Sequence, residues 1–131
     1  MTDSRRSVTS GAVWEPRFGY HRAVAVGDHA WVSGTTAASS GATPDASAGA
    51  QAEAAFAVAL NALEALEFEV ADVVRTRMYL IERDDAEAVG HVHSRVFGET
   101  NPTSSMVVVA SLIAPELRVE VELEAFRGAR V

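Results

Sequence analysis

The chain contains 131 residues, of which 48% are hydrophobic and 22% charged, and it has no cysteine. This length and composition predict one globular domain, residues 1–131, with a single hydrophobic core. Without cysteine there is no disulfide, no thiolate nucleophile and no thiolate metal site. The net charge of −7 argues against nucleic acid as a partner, because a phosphate backbone calls for a basic surface.

The basic residues are all arginine, and lysine is absent. This excludes Schiff-base formation on a lysine side chain. No apolar run approaches the roughly 18–20 residues that span a bilayer, and the N-terminal segment lacks the apolar stretch of a secretory signal. We therefore expect a cytoplasmic protein without a membrane partner.

The first clear elements in chain order form a hairpin. Residues 22–26 and 29–32 are predicted to be two short strands around a tight turn at Gly27-Asp28. One more strand near residues 7–9 is left open. A loop rich in alanine, serine, glycine and proline then runs to about Asp45. Upstream of the hairpin lie three aromatic residues that are either core or the lining of an apolar pocket: Trp14, Phe18 and Tyr20.

A long helix is predicted over residues 48–66, with Asp45 or Ser47 as its N-cap. Its apolar positions recur at three- and four-residue spacing and make one continuous face: Ala52, Phe56, Ala59, Leu60, Leu63 and Leu66. The polar residues expected largely outside that face are Gln51, Glu53, Asn61 and Glu64. The many alanines let this helix lie close against a sheet.

Residues 73–81 alternate and are rich in β-branched and aromatic side chains, which predicts a strand. Arg75 and Arg77 share one face of it, and the other face carries Val74, Thr76, Met78 and Leu80. A second helix is predicted over residues 85–97, capped by Asp84-Asp85. Its expected buried stripe is Ala86, Val89, Val92, Val96 and Phe97.

Two further strands complete the pattern. Residues 106–110 are almost wholly apolar, which is typical of a strand covered on both faces. Residues 119–126 alternate strictly, with four apolar residues on one face and three glutamates and Phe126 on the other. The order β-β-α-β-α-β-β predicts an α+β fold, a mixed sheet with two helices packed on one face. The other face is then covered either by a second copy of the chain or, in part, by the curvature of the sheet itself.

The glutamates of the last strand are Glu120, Glu122 and Glu124, spaced about 6.5–7 Å apart at a rise of about 3.3 Å per residue. Either they form a solvated strand face, or one of them lies in a cleft, where burial raises its pKa and lets it orient water. His91 and His93 are two apart on a predicted helix and point away from each other, so no metal site is expected.

Five segments, in this order, resemble the RidA/YjgF (Rid) family: GYHRAVAVGDHAWVSGTTA, QAEAAFAVALNALEAL, DVVRTRMYL, HSRVFGETNP and LRVEVELEAF. The resemblance runs from about residue 20 to residue 126, and WEPRFGYHRAV with GTTA is similar to a bacterial branch of the family. It implies a chorismate-mutase-like (YjgF) fold and a homotrimer with a central barrel-like core and three ligand clefts between subunits. The founding members bind small carboxylates and hydrolyse enamine or imine intermediates to 2-keto acids and ammonia. No cofactor is implied.

The resemblance also implies roles for individual residues. Tyr20 matches the family's cleft tyrosine. Gly34 matches a glycine whose neighbourhood, which includes Thr35 here, contributes backbone groups to the cleft. Glu120 matches the glutamate that holds the attacking water in the proposed deaminase mechanism, so it is the expected catalytic residue.

The main departure from the deaminases lies in the segment PTSSM. Deaminase members have an arginine there that grips the substrate carboxylate through a bidentate ion pair, and Ser104 occupies its position. Losing such a contact in a partly buried cleft costs about 2–4 kcal/mol, or roughly 30- to 1000-fold. Nearby, Met106 falls where many relatives carry a cysteine, and Gly90 falls where the deaminases often have an asparagine.

These observations favour a Rid-family protein that binds a small metabolite in an intersubunit cleft and, as an enzyme, hydrolyses an enamine- or imine-like substrate. The Ser104 hydroxyl suits a neutral polar ligand better than a 2-imino acid, although Arg22, Arg75 or Arg77 is left open as a replacement charge. The alternative is a non-catalytic ligand sensor or chaperone-like trimer. Endoribonuclease activity, which some family members are assigned, is disfavoured by the acidic charge.

Overall fold

The structure is a computed structural model that describes residues 4–41 and 43–129. Along the chain these residues form β1 (Arg5–Val8), α1 (Trp14–Phe18), β2 (Ala23–Val26), β3 (His29–Thr35), α2 (Ala48–Ala65), β4 (Val73–Leu80), α3 (Ala86–Phe97), β5 (Thr103–Val108) and β6 (Val119–Phe126). Single 3-10 turns precede β4 and α3 and follow β6. Within these two ranges, no helix has the length and apolar character needed to cross a membrane.

The six strands form one sheet in the order β1-β2-β3-β6-β4-β5. All neighbours are antiparallel except β4 and β5, which are parallel and are connected through α3. α2 and α3 pack against one face of the sheet, called the helix face below, and the opposite side is called the open face. The predicted α+β fold with a mixed sheet and two helices on one face is therefore confirmed.

The hydrophobic core lies between the helices and the helix face. Strict alternation in β6 places four apolar side chains in this core, namely Val119, Val121, Leu123 and Ala125. The predicted apolar residues of α2 meet them, and Phe56 and Leu63 are fully buried. Burial of side chains of this size contributes about 1.5–3 kcal/mol each. The apolar face of β6 and the apolar face of α2 thus pack against each other, as their two-residue and 3.6-residue periods predicted.

The N-terminal segment contains both a confirmation and a correction. The strand left open near residue 7 exists as β1, which pairs with β2. The helix α1 was not predicted, and its aromatic residues are not core, because Trp14 is 42% exposed and Phe18 is 65% exposed. Their rings stack at 5.1 Å under the guanidinium of Arg17. Gly19 ends the helix in the left-handed conformation, at φ 79°.

The expectation that the apolar run in β5 is covered on both faces is wrong for a single chain. β5 is an edge strand, paired only with β4, and Val107 and Val108 are 46% and 52% exposed. An apolar run indicates that both faces of a strand are buried in the functional assembly, but it does not indicate whether the same chain or another chain buries them. An exposed apolar edge strand is a ready surface for another chain.

Of two polar residues near the helix starts, one acts as predicted and the other does not. Ser47 is the N-cap of α2, as one of the predictions had it, since its hydroxyl accepts a hydrogen bond from the N–H of Ala50 at 3.2 Å. Asp85 precedes α3 but makes no capping hydrogen bond. Its carboxylate instead accepts two hydrogen bonds from the guanidinium of Arg118, at 3.0 and 3.2 Å. Asp85 therefore ties the start of α3 to the segment that leads into β6.

Gln51 was predicted outside the buried face of α2 and is completely buried. Its amide nitrogen donates to the carbonyls of Asp45, at 2.7 Å, and Glu116, at 2.9 Å. Its amide oxygen accepts from the N–H of Arg118 at 2.8 Å. The three bonds satisfy loop backbone groups that have no strand or helix partner. Gln51 thereby fixes where the chain enters β6.

We predict that Gln51→Leu lowers the free energy of unfolding by about 2–4 kcal/mol, because it leaves three backbone groups without a partner. Urea denaturation followed by circular dichroism measures the change. Asn61→Leu is the matched control, since Asn61 is an exposed amide on the same helix and its replacement is expected to change stability by less than about 0.5 kcal/mol. Equal effects of the two substitutions would contradict the assigned role of Gln51.

Candidate functional site

The three glutamates of β6 lie on the open face, and each has a different environment. Glu122 accepts a hydrogen bond from the hydroxyl of Tyr79 at 2.5 Å, and Glu124 lies 2.8 Å from Nε2 of His29. The carboxylate of Glu120 makes no hydrogen bond or ion pair with another residue of the described segments. It is therefore the glutamate of this face that is free to bind something else.

Glu120 packs directly against the backbone of β3. A Cβ placed on Gly34 would lie 2.0 Å from Oε2 of Glu120 and 3.1 Å from its Cδ, which is closer than atoms can approach. β3 is irregular at this point, because its register against β6 shifts between Val32 and Thr35. The absence of a side chain at position 34 therefore creates the space in which the carboxylate of Glu120 lies.

The environment of Glu120 disfavours its charged form. Burial raises the pKa of the Glu120 carboxyl above its ordinary value, and the neighbouring carboxylate of Glu122 raises it further. The positive charge of Arg22 offsets part of this rise in pKa. A partly buried carboxyl with a raised pKa and a free oxygen is suited to accept or donate a proton, or to hold a water molecule.

Arg22 binds the end of β3, against which Glu120 packs. Its guanidinium is buried and forms an ion pair with the buried carboxylate of Glu15, at 3.0 Å. It also donates to the carbonyl of Gly34 at 2.5 Å and to Oγ1 of Thr35 at 3.1 Å. The ring of Tyr20 lies 5.7 Å from the same guanidinium. Four of the predicted site residues, Tyr20, Gly34, Thr35 and Glu120, thus belong to one group around Arg22.

The ionised carboxylate of Glu15 is stabilised by its neighbours Ser10 and Arg22. Burial opposes ionisation, but hydrogen bonds from the hydroxyl and N–H of Ser10, together with the Arg22 guanidinium, hold the pKa of the Glu15 carboxyl below its ordinary value. The hydroxyl of Ser10 also lies 2.6 Å from the carbonyl of Ser39. The ion pair therefore connects α1, β2 and the end of β3 with the loop before α2.

The remaining predicted site residues form a second group, on the helix face at the β5 edge. Ser104 lies opposite Thr76, with their hydroxyl oxygens 2.8 Å apart. Met106 lies opposite Met78 in the sheet, and its Cε is 3.9 Å from the position of a Cβ on Gly90. Glu120 projects from the other side of the sheet. Ser104, Met106 and Gly90 are called the Ser104 group, and the residues around Arg22 are called the Glu120 group. A single chain does not bring these two groups together.

Within one chain, none of the three arginines considered as replacements lies beside Ser104. Arg22 is committed to Glu15 and the end of β3. Arg75 and Arg77 are on the open face, opposite Glu124 and Glu122, and Arg75 donates to the hydroxyl of Ser105 at 3.3 Å. Ser104 alternates with Ser105 and faces the helices instead.

Three contributors to the site were not assigned their observed roles from the sequence. Glu15 and Arg22 give no local signal, because their pairing depends on how α1 folds back on β2. His93 was considered only as a metal ligand, yet it is four residues after Val89 and four before Phe97, on the buried stripe of α3. That spacing would have placed its ring against the sheet. Among the described residues, no cluster of three or more histidine or acidic side chains could hold a metal ion.

Fold and site together define an α+β protein of the chorismate-mutase-like type, with a partly buried strand glutamate packed on a glycine. The chain belongs to the YjgF/RidA family, since the family profile described as Endoribonuclease L-PSP matches residues 12–127. An uncharacterised protein of Streptomyces coelicolor is 36% identical over 129 residues, which are 98% of this chain and 96% of the relative.

Solved structures agree with this assignment. A member of the YjgF/YER057c/UK114 family from Mycobacterium tuberculosis is 40% identical and superposes with a TM-score of 0.87, covering 94% of this chain and 99% of that one. The Escherichia coli YjgF protein is 25% identical with a TM-score of 0.82, covering 95% of this chain and 99% of that one. The predicted family and fold are confirmed.

We predict that Glu120→Gln stabilises the protein near neutral pH. Because the pKa of Glu120 is raised in the folded state, the unfolded chain releases this proton first as the pH rises above about 4.5. The ionised carboxyl therefore lowers the free energy of unfolding above that pH and not below it. Urea denaturation at about pH 4 and pH 7.5 should show a gain for the variant only at the higher pH.

The matched control for this comparison is Glu64→Gln, an exposed glutamate on α2. It is expected to give no comparable gain at either pH, because its carboxyl is in solvent. A Glu120→Gln variant that is equally stable with the wild type at both pH values would mean that burial of this carboxyl is not costly.

Proposed function

We propose that this protein assembles as a homotrimer whose intersubunit clefts bind a small metabolite and hydrolyse an enamine- or imine-like bond. In this proposal the Glu120 group of one chain meets the Ser104 group of its neighbour. The observation that carries it is the unpaired carboxylate of Glu120, partly buried and lying on the backbone of Gly34. Such a group destabilises the fold, so its presence favours a role outside the fold.

The chemistry proposed for Glu120 is activation of water. A carboxylate with a raised pKa and no competing partner accepts a hydrogen bond from water and takes its proton as the oxygen attacks the imine carbon. Glu120 then returns the proton to the nitrogen of the tetrahedral adduct. As the C–N bond breaks, the hydroxyl proton of the adduct also passes to the nitrogen, so ammonia leaves and a carbonyl compound remains. Tyr20 packs on the ligand, and the backbone of Gly34 and Thr35 binds its polar atoms.

The ligand proposed for this cleft carries no carboxylate at the Ser104 end. Ser104 offers a hydroxyl without charge, and the arginines of the same chain lie elsewhere. A charge-assisted contact is worth about 2–4 kcal/mol more to a carboxylate than such a hydroxyl. Endoribonuclease activity, the term in the family description, is opposed by the net charge of −7, because RNA is a polyanion.

Trimer formation is supported by the apolar groups that one chain leaves uncovered. On the open face these are Val26, Trp31, Phe126 and, on the edge strand, Val107. Exposed large apolar side chains on a sheet face and its edge are typical of an interface with another chain. A neighbouring chain on this surface would also bring its own residues to the Glu120 group, which is incomplete by itself.

We predict a solution mass near three times the 13.9 kDa of one chain, measured by size-exclusion chromatography with light scattering. Val107→Glu should dissociate the trimer, because it buries a charge at the apolar edge. Val70→Glu is the matched control, since Val70 is also exposed but lies outside β5 and the open face. A monomeric wild type would overturn the intersubunit cleft.

We predict that the wild type hydrolyses 2-iminopropionate poorly and that Ser104→Arg increases this rate at least about 10-fold, by restoring the carboxylate contact. The imine is generated in place by an amino-acid oxidase, and semicarbazide traps it in competition with the enzyme. Ser104→Arg combined with Glu120→Gln should lose the gain, because water is no longer activated. Ser104→Asn, uncharged but larger than serine, controls for a change of volume.

The outcomes separate the proposed function from its alternative. Rapid hydrolysis by the wild type would mean that another group binds the carboxylate. That result would contradict the proposed ligand class but support the proposed reaction. No hydrolysis by either the wild type or Ser104→Arg would favour the non-catalytic ligand sensor. Ligand-dependent thermal stabilisation without turnover is the signature of that alternative.

A further inference from the structure

Behind Ser104, three side chains from three elements form a continuous line of hydrogen bonds. The hydroxyl of Thr76 on β4 lies 2.8 Å from the hydroxyl of Ser104 on β5 and 2.8 Å from Nε2 of His93 on α3. Both distances are normal for strong hydrogen bonds. Thr76 therefore connects the serine to the imidazole.

The line runs from the surface into the core. Ser104 is exposed, Thr76 is fully buried, and His93 is partly buried. The imidazole is 5.9 Å from the ring of Phe56 and 4.8 Å from the ring of Phe97, which hold it in place. A surface hydroxyl backed by two ordered partners has a defined direction, unlike a free serine, whose hydroxyl rotates.

The directions of the two hydrogen bonds are coupled, because Thr76 has one hydroxyl hydrogen. The Thr76 hydroxyl donates its hydrogen to Ser104, so it can only accept a hydrogen bond from Nε2 of His93. Burial lowers the pKa of His93, so the ring is the neutral tautomer that carries its proton on Nε2. The hydroxyl hydrogen of Ser104 is then left to be donated to a ligand.

We propose that Ser104, Thr76 and His93 form a hydrogen-bond relay that recognises an uncharged polar group, a carboxamide or a hydroxyl, at the end of the cleft where deaminases bind a carboxylate. Ser104 is the residue that contacts the ligand, and His93 and Thr76 are positioning residues. The carbonyl oxygen of an amide or the oxygen of a hydroxyl accepts the hydrogen bond that Ser104 is left to donate, and neither brings a charge that would need a cationic partner. The inference rests on the proposed function in one respect, that Ser104 faces the ligand.

The relay itself is tested without any ligand, by the nitrogen NMR shifts of the imidazole rings, which report the tautomer of each histidine. Ser104→Ala should move His93 toward the tautomer with an unprotonated Nε2, because Thr76 then donates only to the ring. Thr76→Val should change the His93 shifts more strongly. Thr103→Ala is the control, since its hydroxyl donates to the carbonyl of Val74 and lies on the other face of the strand. Unchanged His93 shifts in both relay variants overturn the relay.

Recognition is tested with two probes of the same shape, pyruvamide and pyruvate, whose dissociation constants are measured by NMR titration. The wild type should bind pyruvamide at least about 10-fold more tightly than pyruvate. Thr76→Val should lose most of this preference, and Ser104→Arg should reverse it. Equal binding of the two probes, tighter binding of pyruvate or no binding of pyruvamide by the wild type overturns the proposal.

Failure of the relay and failure of the proposed function are distinguishable. The imine assay in Ser104→Arg depends on Glu120 and on a carboxylate contact, and it does not use the relay. A gain of hydrolysis in that variant without a wild-type preference for pyruvamide would keep the catalytic site and overturn the relay. Changed His93 shifts and a preference for pyruvamide, with no hydrolysis by any variant, would support recognition by the relay and favour a non-catalytic binding protein.

Discussion

The buried ion pair between Arg22 and Glu15 is the interaction on which the Glu120 part of the candidate site depends. Both side chains are removed from water, so either charge without its partner would cost about 3–5 kcal/mol. The pair is stable because Ser10 completes the bonding of the carboxylate and because the guanidinium also binds Gly34 and Thr35. The end of β3, on which Glu120 rests, is thus held by a charge network and not by apolar packing alone.

The sheet divides the candidate residues between its two faces. Glu120 and Gly34 are on the open face, whereas Ser104 and Met106 turn toward the helices at the edge strand. Side chains of neighbouring strand positions point to opposite faces, so no rotamer change within a chain can unite the two groups. A site that uses both requires a second copy, and the exposed apolar surface of β5 and the open face is where it would bind.

The two ends of the proposed cleft have opposite electrostatic character. Glu120 retains a carboxyl whose ionised form is disfavoured by burial and by Glu122. At the other end lies a neutral line of two hydroxyls and an imidazole. Under the proposed function, ordered neutral contacts at this end favour an uncharged ligand over a carboxylate.

The sequence by itself determined the hairpin, the two long helices, and the strands β4 and β6, because the period of the apolar residues reports directly which face of an element is buried. It also identified the family. Only the tertiary structure decided that Glu15 pairs with Arg22, that Gln51 is buried, that β5 is an edge, and that His93 reaches Thr76. Periodicity describes one element at a time, whereas each of these features depends on a polar partner, or a missing strand, that comes from a distant part of the chain.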